Sequence, residues 1–121
     1  MSKLTKQERV RLTREIRKLI DEITPDDGGF YKSDMPVFVK GRKDVCVVIK
    51  HLEGKRKDLS FLVWIEEENI HSIPLPPTEG SQELKEAIEE NGKIIIKILN
   101  SDSFSATFEI PLEKIGLKPQ R

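Results

Sequence analysis

Apolar residues in the first third of the chain recur at helical spacing. At about 100° per residue, Leu12, Ile16, Leu19, Ile20 and Ile23 gather on one side of a helix over residues 5–24. Thr5 followed by Glu8 has the form of a capping box, in which each side chain satisfies a backbone N–H of the first turn. Pro25 disfavours helical backbone at Thr24, and Gly28-Gly29 opens a loop.

The period then changes. Val37–Lys40, Asp44–Leu52 and Leu59–Glu66 read as strands, the first two joined through Gly41-Arg42 in the manner of a type II′ turn. In the third, Leu59, Phe61, Val63 and Ile65 alternate with Leu62 and Trp64. Apolar residues on both faces predict an interior strand covered on both sides. Ile70–Leu75 reads as a further short strand, ended by Pro74, Pro76 and Pro77. Leu84, Ala87 and Ile88, with Ser81 as N-cap and Gly92 beyond the end, predict a second helix over Ser81–Asn91. Lys93–Leu99 and Phe104–Ile110 read as two more strands, with Phe104, Ala106, Phe108 and Ile110 inward, and Leu112–Leu117 as a single helical turn.

The expected fold is α+β, in the order α-β-β-β-(β)-α-β-β: a two-layer sandwich of one antiparallel sheet of about five strands carrying an N-terminal amphipathic helix and a second helix. The 121 residues make one domain, with flexible ends expected at about 1–4 and 117–121. The order α-β-β-β-α resembles that of double-stranded-RNA-binding domains. Those carry a lysine cluster where this chain has Ser81-Gln82-Glu83-Leu84, so their function does not carry over. The fuller order is similar, in topology alone, to the small dimeric chaperones of type III secretion.

Composition narrows the class. Charged residues make up 35% of the chain, with 21 basic and 21 acidic side chains. The zero net charge argues against a protein that coats nucleic acid with its whole surface. The longest apolar runs, such as Val45–Ile49 and Phe61–Ile65, have strand length, far from the roughly 18–20 residues that cross a bilayer. The polar start Met1-Ser2-Lys3 offers no signal-peptide core, so a soluble, cytoplasmic protein with no membrane contact is expected.

Candidate chemistry is sparse. Cys46, the one cysteine, together with His51 and His71 has no metal-ligand spacing, and no metal or cofactor is expected. Asp26 followed by Glu53-Gly54-Lys55 has the letters of a metal-dependent nuclease signature, on what reads as a solvated turn. Glu66-Glu67-Glu68 and Asp26-Asp27 lack the alternating spacing of a calcium loop. No nucleophile elbow or phosphate-binding glycine loop is present.

Charge placement is the stronger signal. Residues 1–58 hold 15 basic and 10 acidic residues, an excess of five positive charges; residues 59–121 hold 6 and 11, an excess of five negative ones. Arg11, Arg14, Arg17 and Lys18 fall roughly opposite the apolar stripe of the first helix, with Val10 among them and Arg9 inside the stripe. Arg42 and Lys43, then Lys55, Arg56 and Lys57, occupy two turns. Three functional readings follow. The first is a non-enzymatic interaction module that binds a protein partner or a second copy of itself. The alternative is a nucleic-acid-binding accessory protein using these nine cations. A metal-dependent nuclease is the third.

Overall fold

The computed structural model describes residues 5–23, 31–33, 36–52, 58–67, 69–76, 81–100 and 105–118, with the side chains of residues 23, 31–33 and 52 left aside. The capping box forms as the sequence predicts. Thr5 N–H donates to Glu8 Oε1 at 3.2 Å and Glu8 N–H to Thr5 Oγ1 at 3.1 Å, opening helix α1 (Lys6–Ile23). Leu12, Ile16 and Ile20 are buried beneath it.

Strands β1 (Tyr31–Ser33) and β2 (Val37–Phe38) lie in line along one edge of β3 (Val45–Leu52), whose other edge pairs with β4 (Leu59–Glu66) and, beyond it, β5 (Asn69–Pro74). All pairings are antiparallel, so this first sheet is four strands across. The expected two-sided burial of β4 is observed. Phe61 and Val63 pack on Ile16 and Ile20 of α1, whereas Leu62 and Trp64 face the opposite layer.

That opposite layer is a second sheet rather than a second helix. Strands β6 (Gln82–Glu90), β7 (Lys93–Asn100) and β8 (Ser105–Pro111) form an antiparallel meander in the order β6-β7-β8. The predicted helix over Ser81–Asn91 is therefore corrected, and the cause is local. The β6–β7 register shifts between Leu84 and Glu86, leaving Lys85 as the extra residue of a bulge. The bulge places Leu84 and Ala87, opposite Ile98 and Ile96, on one face despite a spacing of three, which imitates a helical stripe. Asn91 and Gly92 have φ of 52° and 76°, the two left-handed residues of a type I′ hairpin turn. The strands expected in one five-stranded sheet are thus divided between two, and the two-layer sandwich becomes three layers: α1, the first sheet and the second sheet. With the second helix gone, so is the element order on which both topological resemblances rested.

Val39, Val45, Val47, Leu62 and Leu75 meet Ala87, Ile94, Ile96, Ile98 and Leu112 between the sheets. Ser105, Thr107 and Glu109 alternate with half-buried Ala106, Phe108 and Ile110, as the sequence predicts; Phe104 lies outside the described residues. A 3-10 turn, Leu112–Ile115, follows β8 and ends at Gly116, whose φ is 76°. Leu117 packs on the core and its N–H donates to the Leu112 carbonyl at 3.0 Å.

One correction concerns the β2–β3 connection. Arg42 N–H donates to Val39 O at 3.0 Å, which makes Gly41, with φ 90°, the third residue of the turn. This is the type II pattern, not the type II′ expected. Lys40 next joins the sheets: its N–H donates to Ala87 O at 2.9 Å and its carbonyl accepts from Glu89 N–H at 3.0 Å, a parallel bridge to β6.

Candidate functional site

The outer face of α1 is built by its inner face. Because Leu12, Ile16 and Ile20 turn toward the first sheet, Gln7, Arg11, Arg14 and Lys18 fall within about 60° of one another on the far side. All four are exposed. At 1.5 Å per residue the row from Gln7 to Lys18 is roughly 16 Å long. A shallow groove beside it is lined by Lys6, Gln7, Val10, Arg11 and Arg14. Val10 is 55% exposed, one of two large apolar residues to be so among those described.

This arrangement does not serve the helix. A helix N-terminus carries partial positive charge and favours acidic neighbours, the C-terminus the reverse. Here Lys6, Arg9, Arg11 and Arg14 crowd the first half, whereas the last turn holds Asp21 and Glu22 and no basic residue. Asp21 is accounted for, since it accepts from buried Lys50 Nζ at 2.9 Å. The like-charged pairs Arg11/Arg14 and Arg14/Lys18, three and four residues apart, each cost an isolated helix about 0.2–0.5 kcal/mol. Lys6, Arg11, Arg14 and Lys18 form no ion pair among the described residues.

The other predicted cations divide. Arg17 is half-buried and already engaged. Lys43 is exposed. Arg42 is a correction: it is 4% exposed and faces inward. Its Nε and Nη2 donate to the two Asp44 carboxylate oxygens at 2.9 and 2.8 Å, and its Nη1 to Glu89 Oε1 at 2.9 Å and to the Lys118 carbonyl. Hydrogen bonding to Asp44 is the largest cause of the raised pKa of this guanidinium, which stays charged and is closed to phosphate. Lys55, Arg56 and Lys57 lie outside the described residues, as do Asp26 and Glu53 of the nuclease reading.

The axis of α1 aligns the remaining cations. Arg9 sits over the Phe38 ring at 5.7 Å, opposite Cys46 in the sheet, and Asp21 reaches Lys50. The helix therefore runs against β3, and its basic first turns lie at the end of the sheet that carries Lys43.

Cys46, His51 and His71 do not converge. Cys46 faces α1, and burial pushes its thiol up to about 12, which removes it as a nucleophile or metal ligand near neutral pH. His51 Nδ1 lies 2.8 Å from Oδ2 of buried Asp58, which also accepts from Gln82 N–H at 2.8 Å. That carboxylate ties the first sheet to β6. His71 stacks on Trp64, with ring centroids 5.6 Å apart. No group of three or more His, Cys, Asp or Glu side chains among the described residues is placed to hold a metal ion. No helix among them is long and apolar enough to cross a membrane.

Comparison with protein-family models, with curated proteins and with solved structures finds no match.

Proposed function

We propose that this chain is a non-enzymatic binding module that takes an acidic, amphipathic segment of a partner protein along the outer face of α1. The observation that carries the reading is the row of Arg11, Arg14 and Lys18, exposed, like-charged and without ion pairs, with exposed Val10 beside it. An anionic partner would turn the mutual repulsion of these cations into attraction and speed encounter. Val10 favours a protein over a nucleic acid, because a phosphate backbone has nothing apolar to set against it. A second copy fits this face poorly: two antiparallel α1 helices would bring cation onto cation at Arg14.

The test is fluorescence anisotropy with a labelled peptide of alternating acidic and leucine turns, alongside a labelled DNA duplex and a labelled single strand of equal charge. The peptide is expected to bind in a salt-sensitive manner and to lose about tenfold or more in affinity when Arg11, Arg14 and Lys18 are replaced together by Glu, at more than about 0.5 kcal/mol per contact. Val10→Asp should weaken the peptide alone. If either nucleic acid binds more tightly than the peptide at the same salt, the accessory-protein reading takes over. If nothing binds at low salt, both fall.

A further inference from the structure

Two strands have a free edge, with a single strand neighbour among the described residues: β5 in the first sheet and β8 in the second. Such an edge leaves a row of backbone N–H and C=O groups open to another strand. The ladders show which residues present them. Leu112 N–H donates to Gly92 O at 3.0 Å, one step beyond the Lys93–Pro111 pair of the β7–β8 register. Bonded and non-bonded pairs alternate in an antiparallel ladder, so Ile94/Ile110, Ile96/Phe108 and Ile98/Ala106 are the bonded ones. Ser105, Thr107, Glu109 and Pro111 therefore turn their backbone groups away from β7. Pro111, with no N–H to give, ends the row at a position where β7 needs none. On β5 the same alternation starts from Leu75 N–H, which donates to Ser60 O at 2.9 Å. It leaves only Ile70 and Ser72 as outward donors before Pro74.

Two observations set β8 apart. It lacks the devices that blunt an edge, since it pairs with β7 without a register shift and holds no lysine. Its inner face is also incompletely covered. Ala106, Phe108 and Ile110 are half-buried, whereas Ile98, Ile96 and Ile94 opposite them on β7 are at most 1% exposed. A strand added beside β8 would complete that cover.

We propose that this strand is β8 of a second copy of the chain, antiparallel about a two-fold axis at Thr107. In that register the edge complements itself. Thr107 meets Thr107, and Ser105 and Glu109 of each chain meet Glu109 and Ser105 of the other, so every outward N–H faces a carbonyl. Glu109, held in its own sheet only by Lys93 at 3.3 Å, can also accept from the serine hydroxyl. On the inner face Ala106 lies opposite Phe108, small against large. An axis at Glu109 would set two carboxylates against each other. An axis at Phe108 would set Ser105 against Pro111, which has no N–H to return. The pairing is isologous and closes at two chains, making the two second sheets continuous. Its contact is narrower than the roughly 1,600 Å² of a standard interface, so the dimer is transient and the edge stands open in dilute solution. The surface is separate from α1 and does not depend on what that helix binds.

Sedimentation equilibrium of the full chain at rising concentration tests this. The mass is expected to climb from one chain to two and no further, with a dissociation constant of about 10–100 µM. Residue 107 is exposed and lies opposite Lys97, so Thr107→Glu suits its own sheet while opposing two carboxylates on the axis. It should weaken association about tenfold or more. Thr107→Pro, whose lost N–H faces away from β7, should do the same. Replacing Arg11, Arg14 and Lys18 together by Glu should leave the dissociation constant unchanged. A chain that stays monomeric up to about 1 mM overturns the proposal. So does growth past two chains, an unchanged dissociation constant in the Thr107→Glu chain, or loss of the dimer in the helix variant.

Discussion

Arg42 shows how far a single side chain's meaning depends on where the backbone turns. In the sequence it stands beside Lys43 in a basic turn; in the fold it is the one residue that grips β6 through Glu89, the hairpin through Asp44 and the end of the chain through Lys118. Removing the guanidinium leaves the carboxylate of Glu89, itself only 11% exposed, without its counter-charge. Arg42→Ala is expected to destabilise the protein by about 3–5 kcal/mol in urea unfolding, and Arg42→Ala with Glu89→Gln by less than the single change. A single-mutant loss below about 1 kcal/mol would show the cluster to be incidental. Charge type alone could not reveal this, since the sequence shows a cation but not the two carboxylates that fold over it.

Cys46 lends itself to a pH experiment. Its thiol is pushed from 9.0 up to about 12 by burial, so the folded state holds a proton that the unfolded chain releases earlier. The stabilisation is complete below pH 9 and is lost as pH rises toward about 12, at up to about 1.4 kcal/mol per pH unit. A Cys46→Ala chain should show a shallower alkaline fall in unfolding midpoint. Native protein should resist thiol reagents at pH 8 and react on unfolding.

At the scale of elements, α1 and β4 were legible because each obeys one period throughout. The capping box, the Leu12–Ile16–Ile20 stripe and the two apolar faces of Phe61–Trp64 all meant what they usually mean. β6 was not, because its single extra residue, Lys85, turns an alternation of two into a spacing of three, in a segment rich in Glu, Lys and Leu that favours helix. The Asn-Gly pair at 91–92 carried the contrary signal, and pairing with the isoleucines of β7 decides against local propensity. A Cβ at Gly92 would meet nothing within 4 Å, so Gly92→Ala is charged only with the left-handed backbone. It should cost about 1 kcal/mol in thermal or urea unfolding. A neutral result would mean that the turn is not the type I′ hairpin described.

The candidate site was half legible for a related reason. A helical wheel places Arg11, Arg14 and Lys18 on one face without any tertiary knowledge, and the fold leaves them there. Whether the turn cations join them was a question of three-dimensional placement. Arg42 goes inside and Lys43 stays exposed in the turn before β3.

At the scale of the molecule, the first sheet is covered on both faces, by α1 on one side and the second sheet on the other. How eight strands would divide between sheets depends on contacts between residues far apart in sequence, which no local period encodes. The outer face of the second sheet meets water, and Lys93–Glu109 and Lys97–Glu86 pairs at 3.3 and 3.4 Å occupy it.

The joining of the two sheets at Lys40 has a mechanical meaning. Lys40, with its two backbone bonds to β6, and Arg42, with its grip on Glu89, sit along the same line and act as the spine of a book whose covers are the two sheets. β5 and β8 lie farthest from that line, each with a single strand neighbour among the described residues. Amide hydrogen exchange should therefore be slowest at Val47, Val48, Leu62 and Val63, slow at Glu89 beside the spine, and fastest along the two free edges. Cutting the spine with Arg42→Ala should raise exchange at Glu89 before it reaches β3.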